Sequence, residues 1–164
     1  MTLRQLLQAA KQTLAQVSDS AAFEAELLLA HALQQSRAYL LAHLDDDIRS
    51  DDAERFAQLL ARRRAKEPIA YILREREFWS LPLQVTPDTL IPRPETECLV
   101  EWVLENFPDK NNKLHVADLG TGSGAIALAL ATERPLWRIA ATDVSQSALD
   151  IASNNAQALA LTNV

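Results

Sequence analysis

The chain has 164 residues, a net charge of −6 and a pI near 5.0. Hydrophobic residues make up 48% and charged residues 23%, the balance of a soluble globular protein of one domain or little more. This excludes a surface that binds nucleic acid over its whole extent, and no apolar run is long enough to span a bilayer.

Cys98 is the single cysteine. It permits no internal disulfide, and the opening Met1-Thr2-Leu3-Arg4 does not read as a signal peptide, so a cytoplasmic protein is expected. Leu3, Leu6, Leu7, Ala10, Leu14 and Val17 recur at helical spacing. Asp19 and Ser20 are positioned to cap a second helix whose buried face includes Phe23, Leu27, Leu28 and Ala30. Ser36 caps a short third helix through Tyr39, Leu40 and Leu41, and Asp45-Asp46-Asp47 reads as a solvated loop. Ser50 caps a fourth helix, with Asp51, Asp52 and Glu54 in its positive first turn and Arg62, Arg63, Arg64 and Lys66 in its last. Pro68 ends it. The result is a small helical bundle without a catalytic constellation. Its basic end is first of all a solvated helix terminus, and second a docking patch for an acidic or nucleic-acid-bearing partner. His31 and His43 have no metal-ligand company, so no metal site is expected.

From Arg76 the pattern changes. Glu77 to Thr86 reads as two extended segments around a Ser-Leu-Pro turn, and Pro82 and Pro87 confine them to an edge or an isolated ribbon. Leu90-Ile91-Pro92-Arg93-Pro94-Glu95-Thr96-Glu97 then starts a helix that runs to about Phe107, with Leu99, Val100, Val103, Leu104 and Phe107 on its apolar face. Arg93, Glu95 and Glu97 are best read as a helix start with carboxylates favoured by the dipole.

All three glycines fall within Asp118-Leu119-Gly120-Thr121-Gly122-Ser123-Gly124. An apolar run precedes them and an alanine-rich one, Ala125 to Ala131, follows. This is a strand, a tight turn and a helix, with the backbone free to approach a ligand. Trp137 to Thr142 is a second strand with Asp143 at its end, and Ser145 caps the next helix. A strand-helix-strand-helix order makes a parallel sheet, whose ligands bind beyond the carboxyl ends of the strands. There Asp143 is placed to accept two ribose hydroxyls. Asp118 is placed to orient loop amides or a ligand ammonium, and the loop amides are available to an anionic group. Two cofactors remain open on spacing alone. Gly120, Gly122 and Ala125 satisfy the G-x-G-x-x-G/A dinucleotide pattern, which reads as an NAD-dependent oxidoreductase. The string D-L-G-T-G-S-G, with its acid two before the first glycine, resembles the first motif of S-adenosylmethionine-dependent methyltransferases. A third possibility is a binding module without chemistry.

Three stretches taken together, Arg76 to Leu83, Leu90 to Glu97 and Asp118 to Gly124, resemble the bacterial release factor glutamine methyltransferases (the PrmC/HemK family). Arg62-Arg63-Arg64 and Glu67-Pro68-Ile69-Ala70 look like that family too. The resemblance implies an α/β chain: an N-terminal helical bundle, a β-hairpin connector, then the first βαβα part of a seven-stranded, Rossmann-like S-adenosylmethionine-dependent methyltransferase domain. It implies a release-factor-docking domain at 1–75, a connector at 76–92 and an incomplete methyltransferase domain at 93–164. It implies that Gly120, Thr121, Gly122, Ser123, Gly124 and Asp143 hold S-adenosyl-L-methionine, and that the substrate is the glutamine of the Gly-Gly-Gln loop of class 1 peptide chain release factors. The partner is thus a release factor, without direct contact to nucleic acid or membrane, and the protein acts as a monomer. Two departures stand out. Arg74 occupies a position where the family usually has glycine. The N-P-P-Y motif that grips the glutamine amide does not occur in these residues, so no catalytic residue is assigned. The 164 residues alone are expected to be inactive and to bind cofactor weakly.

Overall fold

The computed structural model describes residues 1–164, which form two compact units, Met1–Leu73 and Arg74–Val164. No helix is long and apolar enough to cross a membrane.

The first unit is all helical: α1 (Leu3–Leu14), α2 (Ala21–Leu33), α3 (Arg37–Ala42), α4 (Ser50–Arg64) and α5 (Ile69–Leu73). Thr2 opens α1 through a reciprocal capping box with Gln5, a pairing not expected from the sequence. Ser36 caps α3 through the Tyr39 amide. Ser50 is not a cap. It is the first residue of α4, after Arg49, and Asp51 and Asp52 supply negative charge to the first turn. Pro68 is not what ends α4, which stops at Arg64 with Lys66 beyond it at φ 67°; the Pro68 carbonyl instead accepts the amides of Tyr71 and Ile72 and so opens α5.

Leu14, Leu28, Leu29 and Leu40 are fully buried in the centre of this unit, with Phe56 and Ile72 beside them. Phe23 is not in that core. It is half exposed, and the Arg37 guanidinium lies 4.6 Å from its ring centroid. Stacking on a cation supplies a contact there that the core does not. Asp45-Asp46-Asp47 is not a free loop either. Arg4 forks onto the Asp45 carboxylate, the Met1 ammonium sits 2.9 Å from Asp47, and the Leu3 and Arg4 amides donate to the Asp46 and Leu44 carbonyls.

The basic end of α4 is partly neutralised from within. Arg62 pairs with Glu67, and Arg63 pairs with Glu24 of α2. The second pair is the more consequential because it is shielded, with side-chain exposures of 14% and 11%. Removing one member of a shielded pair strands the other charge, whereas exposed pairs contribute little. Glu24→Ala is therefore expected to lower the stability of the chain by about 3 kcal/mol, and Glu67→Ala by well under about 1 kcal/mol. Urea denaturation of the two variants checks the contrast; equal costs would contradict it.

The second unit begins with an antiparallel hairpin, β1 (Glu75–Phe78) and β2 (Leu81–Gln84), in register from Glu75 opposite Gln84 to Phe78 opposite Leu81. The turn is Trp79-Ser80, not Ser-Leu-Pro; Leu81 and Pro82 belong to β2. Both turn residues have positive φ, 53° and 57°, the signature of a type I′ turn, which ordinarily uses Asn-Gly or Gly-Gly. Tertiary contacts hold Trp79 there. Its amide donates to Glu97 Oε1 at 2.8 Å and its indole N–H to Glu133 Oε1 at 3.0 Å.

A 3-10 turn at Pro94–Thr96 leads into α6 (Glu97–Asn106). Of the face expected to be apolar, Val100 is buried and Val103 and Leu104 are half-buried, while Leu99 and Phe107 are exposed. Arg134 is buried and donates to the carbonyls of Leu104 and Phe107, closing the C-terminal end of α6, where backbone acceptors lack helical partners. Then follow β3 (His115–Leu119), α7 (Ala125–Glu133), β4 (Arg138–Thr142) and α8 (Gln146–Ala158). β3 and β4 pair in parallel, Leu119 opposite Thr142. This is the strand-helix-strand-helix order of a Rossmann-like fold in partial form. Val116, Ile139 and Ala141 pack with Leu128, Leu130, Trp137 and Phe78 in one core. His115, Ala117, Leu119, Arg138, Ala140 and Thr142 are exposed.

Arg74 has φ 60° and is exposed. A left-handed conformation costs a side chain about 1–2 kcal/mol, and glycine returns part of that as lost chain entropy. Arg74→Gly is expected to stabilise the second unit by about 1 kcal/mol, raising its thermal midpoint by about 4–8 °C. A melting curve that shifts downward would overturn this.

Candidate functional site

β3 runs into the glycine loop and β4 into Asp143. Because the strands are parallel and Leu119 faces Thr142, the two carboxyl ends lie side by side. The loop is fastened to this end of the sheet by its own amides. Gly120 and Thr121 both donate to the Thr142 carbonyl, at 2.8 and 2.9 Å. Gly122 donates to Asp143 Oδ2 at 2.9 Å, and Gly124 donates to the Thr121 carbonyl at 2.9 Å. The amides expected to be available to an anion are, at these four positions, committed within the protein.

All three glycines have positive φ, from 56° to 86°. A Cβ at Gly120 or Gly122 would meet nothing within 4 Å, whereas one at Gly124 would stand 3.0 Å from Leu128 Cδ1 and 3.2 Å from Ala152 Cβ. Gly124 is thus required by both conformation and packing. Gly120 and Gly122 are required by conformation alone, and they leave open space in front of the backbone.

Asp143 is half-buried. One carboxylate oxygen accepts from Gly122 and the other from the Ser145 amide at 2.9 Å. The Ser145 amide, then that of Gly122, holds its carboxyl below the ordinary carboxylate range, with a smaller contribution from the Val144 amide and against a small burial effect. Asp118 Oδ2 accepts from the Thr121 hydroxyl at 2.7 Å. Exposed Leu119 and Val144 flank the two strand ends. The mouth therefore combines two carboxylates, open space over two glycines and two apolar side chains.

The six residues predicted to bind cofactor fall into one cluster but face different ways. Gly120, Gly122 and Asp143 border the open space. Thr121 and Ser123 are buried, and Gly124 is pressed against α7 and α8. Arg93 and Glu95 are exposed, and Glu97 is engaged with the Trp79 amide. A cavity of about 370 Å³ between β4 and α8 lies elsewhere. Its lining includes Gly124, Leu128, Leu149 and Ala152, but not Asp118, Gly120, Gly122 or Asp143.

One participant escapes sequence reasoning. Asn155, buried in α8, donates from Nδ2 to the Ser123 carbonyl at 2.9 Å. It stands in an alanine-rich helix without a motif around it; a polar residue three positions after Ala152, on the packed face, is the only signal.

The chain's similarity to known proteins covers both units. Residues 5–73 match the PrmC N-terminal domain and residues 96–164 the methyltransferase small domain. A release factor glutamine methyltransferase of Coxiella burnetii is 52% identical over 157 residues, 96% of this chain and 56% of that protein. One of Vibrio cholerae is 49% identical over 99% of this chain and 57% of its own length, and one of Escherichia coli is 48% identical over 91% and 53%. The chain spans about half the length of the curated relatives it matches.

The depressed carboxyl of Asp143 gives the loop a pH dependence of known sign. Its folded-state pKa lies below the ordinary 3.8. The stabilisation is therefore complete above that value and is lost as pH falls through the lower folded value. The Gly122 amide resonance is expected to titrate with a midpoint below 3.8, and Asp143→Asn to abolish that titration. A midpoint at or above the ordinary value would contradict the assignment.

Proposed function

Given that the chain belongs to the release factor glutamine methyltransferase family, we propose that its glycine loop and Asp143 hold S-adenosyl-L-methionine, for methyl transfer to the side-chain amide of the Gly-Gly-Gln glutamine in class 1 peptide chain release factors. One observation carries this choice over a nicotinamide dinucleotide. The amides of Gly120, Thr121, Gly122 and Gly124 are spent on acceptors within the protein, and the acids nearest the loop are Asp118 and Asp143. A pyrophosphate laid over these glycines finds none of those four amides free and meets repulsion from both carboxylates. A ligand with hydroxyls, an ammonium group and a sulfonium suits two carboxylates.

Each residue then has a defined task. Gly120 and Gly122 let the ligand reach the backbone, because no Cβ stands in the way. Gly122 donates to one Asp143 oxygen and Ser145 to the other, and the carboxylate retains lone pairs for ribose hydroxyls. Asp118 keeps Oδ1 for an ammonium while Oδ2 holds Thr121. The exposed apolar side chains of Leu119 and Val144 offer contact to an aromatic base. The bound cofactor supplies a methyl group made electrophilic by the sulfonium.

The acceptor sets the harder requirement. An amide nitrogen is a weak nucleophile because its lone pair is delocalised. Holding it in line is therefore a large part of the catalytic task, an entropic contribution. The family's N-P-P-Y residues that do so are not among these 164. The helical unit serves as the release-factor-docking domain. Arg64 at the end of α4 and Lys66 just beyond it are the cations of this cluster left for that purpose once Arg62 and Arg63 are paired. We place the protein in the cytoplasm, acting as a monomer without direct contact to nucleic acid.

Amide chemical shifts register even millimolar binding and so test the cofactor assignment without requiring turnover. S-adenosylhomocysteine is expected to shift the resonances of Gly120, Gly122 and Val144, and NAD to leave them in place. Asp143→Ala is expected to weaken the response at least tenfold. Shifts with NAD and none with S-adenosylhomocysteine would favour an oxidoreductase.

A further inference from the structure

Asn155 makes three hydrogen bonds, and only one of them reaches the glycine loop. The Gln84 amide donates to its Oδ1 at 2.7 Å, and its Nδ2 donates to the Gln84 carbonyl at 3.0 Å and to the Ser123 carbonyl at 2.9 Å. The side-chain amide thus pairs with the backbone of β2 as a neighbouring strand would, using both polar groups of one residue. Its second N–H goes to the residue before Gly124. Both donors are used and the side chain is 3% exposed, so every bond formed is one that water does not replace.

Ala152, three positions earlier on α8, packs against the position of Gly124. α8 therefore meets the loop at two consecutive points, one apolar and one polar. Ser123 and Gln84 are separated by 39 residues of chain, and one buried primary amide spans them.

We propose that Asn155 is a positioning residue that couples the hairpin to the cofactor loop. This rests on the reading of the loop as the S-adenosylmethionine site. With Asn155 in place, the Ser123 carbonyl cannot turn without disturbing β2, and β2 cannot shift without releasing Ser123. A ligand that orders the loop therefore orders the hairpin edge. By reciprocity, whatever orders the hairpin edge raises cofactor affinity, by about fivefold or more for an ordinary coupling of this kind.

Hydrogen exchange tests the coupling in two ways. The first compares the ligand-free chain with Asn155→Ala. The Gly122 and Gly124 amides bond to Asp143 and Thr121, not to Asn155. They are nonetheless expected to exchange at least tenfold faster in the variant. The Arg134 amide, at the far end of α7, is expected to stay near its original rate. Unchanged glycine amides, or an equal rise at Arg134 that denotes general loss of stability, would overturn the proposal. The second measurement uses the unaltered chain and so does not depend on the variant folding. Saturating S-adenosylhomocysteine is expected to slow exchange at both Gly122 and Gln84. A response at Gly122 without one at Gln84 refutes the coupling. If neither amide responds, the cofactor reading fails, and the ligand-free comparison decides the role of Asn155.

Discussion

The parallel register of β3 and β4 is the constraint on which the second unit depends. With Leu119 opposite Thr142, the Thr142 carbonyl is placed to accept two amides from the next two residues of the neighbouring strand's loop. The next residue, Asp143, is then placed to accept Gly122 and to start the turn into α8. A slip of one residue would turn each side chain to the other face of the sheet and take Asp143 away from the loop. The glycines make the loop conformationally possible, and the register makes it unique.

Many of the polar contacts in this unit reach backbone groups. Asp143 accepts amides, Thr142 offers a carbonyl, Asn155 grips Ser123 and Gln84 by their main chains, and Glu97 holds the Trp79 amide. Such contacts fix geometry whatever side chain the partner residue carries. That explains how Trp79 and Ser80, neither of them a usual type I′ turn residue, hold positive φ. Strain at a turn persists when the surroundings over-determine it.

What could be read beforehand follows from the range of the forces involved. The glycine loop, the strand-helix-strand-helix order and the caps at Ser36 and Ser145 depend on residues within a few positions of one another, and periodicity and turn chemistry expose them. The position of the hairpin turn did not show, because Glu97 and Glu133, which hold Trp79, lie far along the chain. Phe23 fitted the helical stripe, yet Arg37 draws it to the surface. Arg63 looked like a solvated cation, and its partner Glu24 is two helices away. Asn155 lay outside any motif, since its acceptors are main-chain atoms that carry no residue identity. The loop residues of the candidate site were legible from spacing, but the internal commitment of their amides was not.

The hairpin has one more property. Alternation along an antiparallel pair sends every second residue's polar groups outward, and in β2 those residues are Pro82 and Gln84, given that Val85 bonds back to Arg74. Pro82 has no N–H to offer, and that of Gln84 is already taken by Asn155. The outer rim of a short ribbon is ordinarily a template for a stray strand from another molecule. Along this edge neither outward position presents a free donor, so a side chain that steadies the loop also blunts the β2 side of the hairpin as a template.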